Sequence, residues 1–272
     1  VGIFKHEPAW WRRQVAFFIV VALLIVSAAF VLADHWRRGV TVLARDGRRY
    51  QADYLIGCDG IKSVARDVVV GDAVRVSGHV VYRAVVPAAE MPEELRWNAP
   101  VVWAGPNCHL VHYPLRSGDQ YNLVVTFHSR EQEVWDVRDG SKEEVLSYFN
   151  GIDPLPRKLL HCPSSWRRWS TADRNPVDNW TQGRITLLGD AAHPTLQYLA
   201  QGACMALEDA VTLGAAVRAC DFDMEAAFAL YQKSRIARTA RVVLSAREMG
   251  RLYHAHGVER LVRNDLWKGR GQ

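Results

Sequence analysis

The sequence predicts an α/β fold, and three observations carry that prediction. Residues 185–188 (ITLL) form a short apolar run with β-branched members, which suits a buried strand, and Gly189-Asp190 ends it. After a loop holding His193-Pro194 and Gln197, Gly202 opens a helical pattern whose apolar spacing continues to Val217. The stretch 68–179 reads as strands separated by turns, whereas 223–256 carries a long helical stripe.

Taken in order, the chain begins with an apolar run at 15–33, nineteen residues without a charge. Trp10, Trp11, Arg12 and Arg13 precede it, and Asp34, His35, Trp36, Arg37 and Arg38 follow. By length and flanks it qualifies as a membrane-spanning helix, and it lacks an evident cleavage site. A fully buried helix and a segment foreign to the rest of the chain are the competing readings. The expectation is an atypical N-terminal segment over 1–38, with membrane contact through 15–33 as the alternative.

Beyond it, Val40 and Val42 alternate, Asp46-Gly47 signals a hairpin turn, and a second strand passes through Tyr50 and Ala52. Tyr54 to Ile56 leads into Gly57-Cys58-Asp59-Gly60, with Ser63 and Arg66 following. Strands are expected near 78–86, 100–104, 108–115 and 121–128. Ser141 with Glu144 makes a capping box that opens a helix through Val145, Leu146 and Phe149. In the run CHLVHYPL, His109, Val111 and Tyr113 share one strand face. Two readings of that face stand: sheet residues satisfied within the protein, the commoner case, or a grip on a small phenolic acid. In the long C-terminal helix, Phe228, Leu230, Tyr231, Ile236, Val243 and Leu252 form the core-facing stripe. Arg235 to Arg241 read as solvated charges or surface pairs of little energetic weight.

Composition narrows the function. With 272 residues the chain can build one large domain or two smaller ones. The net charge of +5 comes from scattered arginine doublets without interleaved aromatics, which excludes a nucleic-acid groove. Five widely spaced cysteines form no CxxC pair, which argues against a disulfide framework and a zinc site and for a reducing, cytoplasmic compartment. No metal site is expected. The strand, glycine turn and helix start around Asp190 form a place for a polar ligand, because free amides and the positive dipole end point outward together. A structural turn with Asp190 as a local cap is an equal alternative.

The wording of the motifs goes further. GDAAHP at 189–194, followed by the glycine-opened helix with LEDA, resembles the second flavin-binding motif of the single-component FAD-dependent aromatic hydroxylases. DGxxSxxR at Asp59, Gly60, Ser63 and Arg66 resembles the middle fingerprint of the same family. The resemblance implies an α+β substrate sheet (68–180) on a partial Rossmann-like FAD domain (39–67 and 181–220), closed by long C-terminal helices (221–272). It implies FAD as cofactor, with Asp190 on its ribityl chain and Asp59, Gly60, Arg66, Gly189, Pro194 and Gly202 around it. NADH or NADPH is the implied co-substrate and O2 the oxidant.

The spacing of HLVxYP before GDAAHPTLQYLAQGA resembles members that act on small phenolic carboxylates of the 3-hydroxybenzoate kind. That carries substrate contact onto His109, Gln197 and Tyr113, with His109 and Gln197 as catalytic residues. The implied reaction is hydroxylation through a flavin C4a-hydroperoxide, for which the ring must be made electron-rich by weakening its phenol proton. Salicylate and hydroxynicotinate are alternative substrates. The closing helices, ALYQKSRIAR and RNDLW, are expected to pack or to form a homodimer surface. No GxGxxG occurs in the chain, so the resemblance runs from about Gly39 onward. The expectation is a family member without its first third, and the runner-up function is a weak flavin or aromatic-acid binder that turns nothing over.

Overall fold

In the computed structural model, which describes residues 39–268, the chain divides into two compact units. The described part of the first comprises 39–55 with Gly183–Ile185. It holds the hairpin β1 (Val40–Leu43) and β2 (Arg49–Ala52), paired antiparallel with Val40 opposite Ala52. The expected turn is there, and Gly47 takes φ +83°, a conformation open to glycine. The Arg184 guanidinium lies over the Tyr54 ring and donates to the Asp53 carbonyl.

The second unit begins at Ile56 and carries the bulk of the chain. Its centre is an antiparallel six-stranded sheet made of β4 (Arg75–Pro87), β5 (Val101–Ala104), β6 (Cys108–Leu115), β7 (Gln120–His128), β8 (Val137–Gly140) and β9 (Trp166–Asp173). The strand order is β5-β6-β7-β4-β9-β8. One face of this sheet is core. Val80, Tyr82, Leu110, Leu123, Val125 and Phe127 bury themselves against Val145 of helix α2 (Lys142–Tyr148), against Phe149 just after it, and against Leu159 and Leu160. Each such side chain contributes about 1.5–3 kcal/mol by leaving water. Gly140 lets Tyr82 reach this core, since a Cβ there would lie 2.1 Å from the tyrosine ring.

Two short strands, β10 (Thr181–Gln182) and β11 (Ile185–Leu187), belong with β3 (Leu55–Gly57) to a three-stranded sheet. Gly57 permits α1 (Val64–Val69) to approach, because an added Cβ would sit 2.6 Å from the Ala65 Cβ. After β11 the chain turns through Gly189 and enters three helices, α3 (Gly202–Ala219), α4 (Met224–Tyr253) and α5 (Gly257–Lys268). Asp223 caps α4 by accepting from the Ala226 N–H at 3.1 Å. Among the described residues no helix is long and apolar enough to cross a membrane, and the apolar run 15–33 lies outside them.

Three local expectations change. The Ser141–Glu144 box closes on one side only. Ser141 accepts from the Glu144 N–H, but the Glu144 carboxylate turns to the Tyr82 hydroxyl. Strand β9 escaped the pattern because its sequence, WRRWSTAD, puts Arg168 on the buried side, where Glu133 pairs with it at 2.7 Å. Arg235 is buried and ion-paired, not a solvated surface charge.

Candidate active site

The other face of the six-stranded sheet meets the turn after β11 and the start of α3 around a cavity of about 850 Å³. That volume lies within the range of small-molecule sites. Strand alternation brings His109, Val111 and Tyr113 to its wall together. Val102 and Val124 stand opposite Val111 on the two neighbouring strands and also line the cavity. The three valines form an apolar rung under the polar residues at either end.

Facing them are Gly60, Gly189, Asp190, Gln197 and Gly202. Gly189 turns the chain at φ +63°, and a Cβ on it would press on Ala206 of α3 at 3.2 Å. Helix α3 starts at Gly202 without a side-chain cap from Gln201, so its first amides are left for another acceptor. The Asp190 carboxylate takes no hydrogen bond from any described residue. Burial raises its pKa, with His193 opposing. An unpartnered carboxylate beside uncapped helix amides fits a ligand that offers hydroxyls to the first and electron-rich groups to the second.

A buried ionic network fixes this turn. Asp209 of α3 accepts from the Gly189 N–H at 3.0 Å, from His193 Nε2 at 2.5 Å and from Arg235 Nε of α4 at 2.7 Å. Burial pushes the Asp209 carboxyl up, but the His193, Arg235 and Gly189 contacts outweigh it and hold it below its ordinary range.

The sequence-predicted residues therefore fall into two groups. His109, Tyr113, Gln197, Gly60, Gly189, Asp190 and Gly202 line one cavity; Asp59, Arg66 and Pro194 do not. Asp59 spends its carboxylate on the start of α1, accepting from Ser63 Oγ at 2.5 Å and the Val64 N–H at 2.7 Å. Arg66 is fully buried, ion-paired with Asp72 at 2.7 Å, and donates to the carbonyls of Ala191 and Ala192. Pro194 is buried within the turn. Of the three, Arg66 ties α1 to the Asp190 loop and Pro194 is part of that loop, whereas the bonds of Asp59 stay within the start of α1. His112, on the opposite face of β6, stacks on Trp103 and contacts the Leu95 carbonyl.

Tyr198, Tyr253, His79 and His254 had no sequence signal, because they converge from three distant segments. Tyr198 and Tyr253 line the cavity directly. The Tyr198 hydroxyl bonds His79 Nδ1 at 2.5 Å, and His109 Nδ1 contacts His254 Nε2 at 2.8 Å. That leaves Nε2 of His109 for a ligand. Desolvation, with His79 nearby, pushes the His109 pKa down to about 3.

Fold and site together define a cofactor-holding α/β protein whose ligand cavity is roofed by an antiparallel sheet. The FAD binding domain family matches residues 33–243. The 3-hydroxybenzoate 6-hydroxylase of Klebsiella oxytoca is 70% identical over 233 residues, covering 86% of this chain and 59% of its own. The 3-hydroxybenzoate 6-hydroxylase 2 of Aquipseudomonas alcaligenes is 66% identical over 231 residues, covering 85% of this chain and 72% of its own. A salicylate hydroxylase solved as a substrate complex superposes with a TM-score of 0.73 at 30% identity, over 86% of this chain and 64% of that one. The chain belongs to the FAD-dependent aromatic hydroxylases. It spans about three fifths of the length of the Klebsiella relative.

Proposed function

We propose that the protein is an FAD-dependent monooxygenase that hydroxylates a small phenolic carboxylate, 3-hydroxybenzoate first among them, using NAD(P)H and O2. The observation that carries this reading is the shared cavity: His109, Tyr113 and Gln197 line the same space as Gly189, Asp190 and Gly202. Two relatives at 66% identity or more bear the name 3-hydroxybenzoate 6-hydroxylase.

Asp190 and the first amides of α3 would hold the ribityl chain and ring of FAD. Bound and reduced, FAD supplies the activated oxygen. The chain's own residues do the rest. The Val102–Val111–Val124 rung seats the aromatic ring on an apolar floor. The Tyr113 hydroxyl, at the far end of the same strand face, suits the substrate carboxylate. Gln197 orients the phenol hydroxyl, and His109 Nε2 accepts its hydrogen bond. As the proton moves toward nitrogen, electron density rises on the ring and favours attack on an electrophilic oxygen. The five free thiols support a reducing, cytoplasmic setting.

The deciding experiment is a visible spectrum of the chain after FAD addition and desalting, followed by 3-hydroxybenzoate-stimulated NADH oxidation. Retained flavin with stimulated turnover is the expected result. Turnover that 3-hydroxybenzoate leaves unstimulated in a flavin-loaded chain would refute this reading. In a flavin-loaded chain, His109→Ala is expected to lose hydroxylation while flavin reduction by NADH persists. Unchanged product formation would remove His109 from the chemistry.

A further inference from the structure

Tyr253 is the last residue of α4, and it lines the ligand cavity. Its ring centroid is 5.1 Å from that of His109, and it meets Tyr198 edge-on at 6.2 Å. Among the described residues no ring contact joins it to Tyr113. Tyr253 therefore flanks the cavity at the His109 end of β6 and not at the Tyr113 end. A helix terminus is by itself a weak place to fix a ring, since its last carbonyls lack helical partners and its final turn frays. Here the end of α4 is held from behind by α5.

Arg263 of α5 is only 1% exposed, yet no carboxylate among the described residues pairs with it. Its Nη1 donates to the carbonyls of Leu252 and Tyr253, at 3.4 and 3.0 Å. Its Nε and Nη2 donate to the Asn264 side-chain oxygen at 3.1 and 2.8 Å. The guanidinium also faces the Trp267 ring, 5.2 Å from its centroid, and that ring meets Tyr253 edge-on at 6.1 Å. Burial and the neighbouring Arg260 lower the Arg263 pKa. A guanidinium stripped of water and left without an anion is costly. Its compensation is the negative end of α4, where open carbonyls and the helix dipole favour a cation. One buried charge and one indole thus fix the residue that ends α4 and carries a cavity ring.

We propose that Tyr253 is a substrate-selecting wall of the ligand cavity, closing it against ring substituents beside the phenol hydroxyl, and that Arg263 is the residue that positions it. Both roles rest on the phenolic-carboxylate reading above. With the hydroxyl at His109 Nε2 and the carboxylate at Tyr113, the ring carbon on the outer side of the hydroxyl, C4, points away from Tyr113. It faces the flank where Tyr253 stands. Tyr253 then admits a hydrogen at C4 and rejects a larger group. Arg263 does not line that cavity. It acts through the Tyr253 carbonyl and through Trp267, and is a positioning residue.

The test titrates 3-hydroxybenzoate and 3-hydroxy-4-methylbenzoate into the full chain with FAD present, by calorimetry, and takes the ratio of the two dissociation constants. The parent is expected to favour 3-hydroxybenzoate by about 10-fold or more, the scale on which a pocket discriminates one methyl group. Tyr253→Ala is expected to abolish that preference. Arg263→Met, which keeps the length and loses every donor, is expected to shift the ratio the same way, and Arg263→Lys to restore part of it. The double variant is expected to match Tyr253→Ala alone, because Arg263 acts through that ring. A merely structural role would weaken both acids equally and leave the ratio unmoved. Should Arg263→Met fail to fold, Trp267→Leu removes the edge contact on Tyr253 and carries the same expected shift. A parent without preference, or a parent-like ratio in Tyr253→Ala, would overturn the wall. A parent-like ratio in Arg263→Met or Trp267→Leu, or additive shifts in the double variant, would overturn the positioning role. Each of these leaves the phenolic-acid reading intact, whereas failure of the parent to bind 3-hydroxybenzoate would overturn that reading and the selection with it.

Discussion

Replacing Asp209 by alanine tests how the cofactor turn is held. The side chain is wholly buried and serves three donors at once: the Gly189 N–H, His193 and Arg235. Removing one partner of a buried ion pair costs about 3–5 kcal/mol, because the remaining charge is stranded. Arg235 is not wholly stranded here, since Glu208 stays within 2.8 Å. The buried Gly189 N–H, however, loses its acceptor, a loss of about 1–3 kcal/mol when taken alone. These terms overlap, so the expected loss is about 3–4 kcal/mol. At roughly 2–4 °C per kcal/mol for a chain of this size, the melting midpoint should fall by roughly 6–16 °C. Urea unfolding followed by circular dichroism reads the loss, and desalting after FAD addition reads the turn. Asp209→Asn retains one acceptor oxygen and should fall between parent and alanine variant. A loss under about 1 kcal/mol with undiminished flavin retention would refute the view that this network holds the turn.

Other outcomes follow from the same geometry. Gly250→Ala would place a Cβ 2.6 Å from the Tyr198 ring. Overpacking of about 1–3 kcal/mol should outweigh the helix-propensity gain of about 1 kcal/mol, and aromatic-acid affinity should fall in a binding titration. Asp190→Ala, whose carboxylate serves no described residue, should weaken flavin retention and leave the melting midpoint nearly unchanged. Acid should destabilise the chain through Asp209. Its folded pKa lies below the unfolded value, so its contribution is complete above pH ~4 and is lost as pH falls through the folded pKa. Asp209→Asn should flatten that part of the stability-versus-pH curve.

Much of this architecture was legible where one physical requirement governs a stretch of chain. In β6 the period of two put His109, Val111 and Tyr113 on one side, and they line the cavity together. Asp223 and the apolar stripe of α4 marked a helix whose ends fall within three residues of the expected ones. Legibility failed where a charge is buried. Arg168 in β9, Arg235 in α4 and Asp209 in α3 look like surface residues until the partner from another element is in place. It failed again for His254, which is brought to His109 across 145 residues by tertiary packing alone. Asp59 and Arg66 show the reverse case: a motif read as ligand contact is occupied by internal bonds.

The bonds from Arg66 to the Ala191 and Ala192 carbonyls span 125 and 126 residues of sequence. Such a closure forms slowly, since the intervening chain must first be ordered before the contact rewards it. The β5–β6 and β6–β7 hairpins, which carry the face with His109 and Tyr113, have no such delay. During refolding, the β5–β6–β7 face with His109 and Tyr113 is therefore expected to pair before the opposite wall arrives, and the capacity to bind a ligand to return after that local pairing.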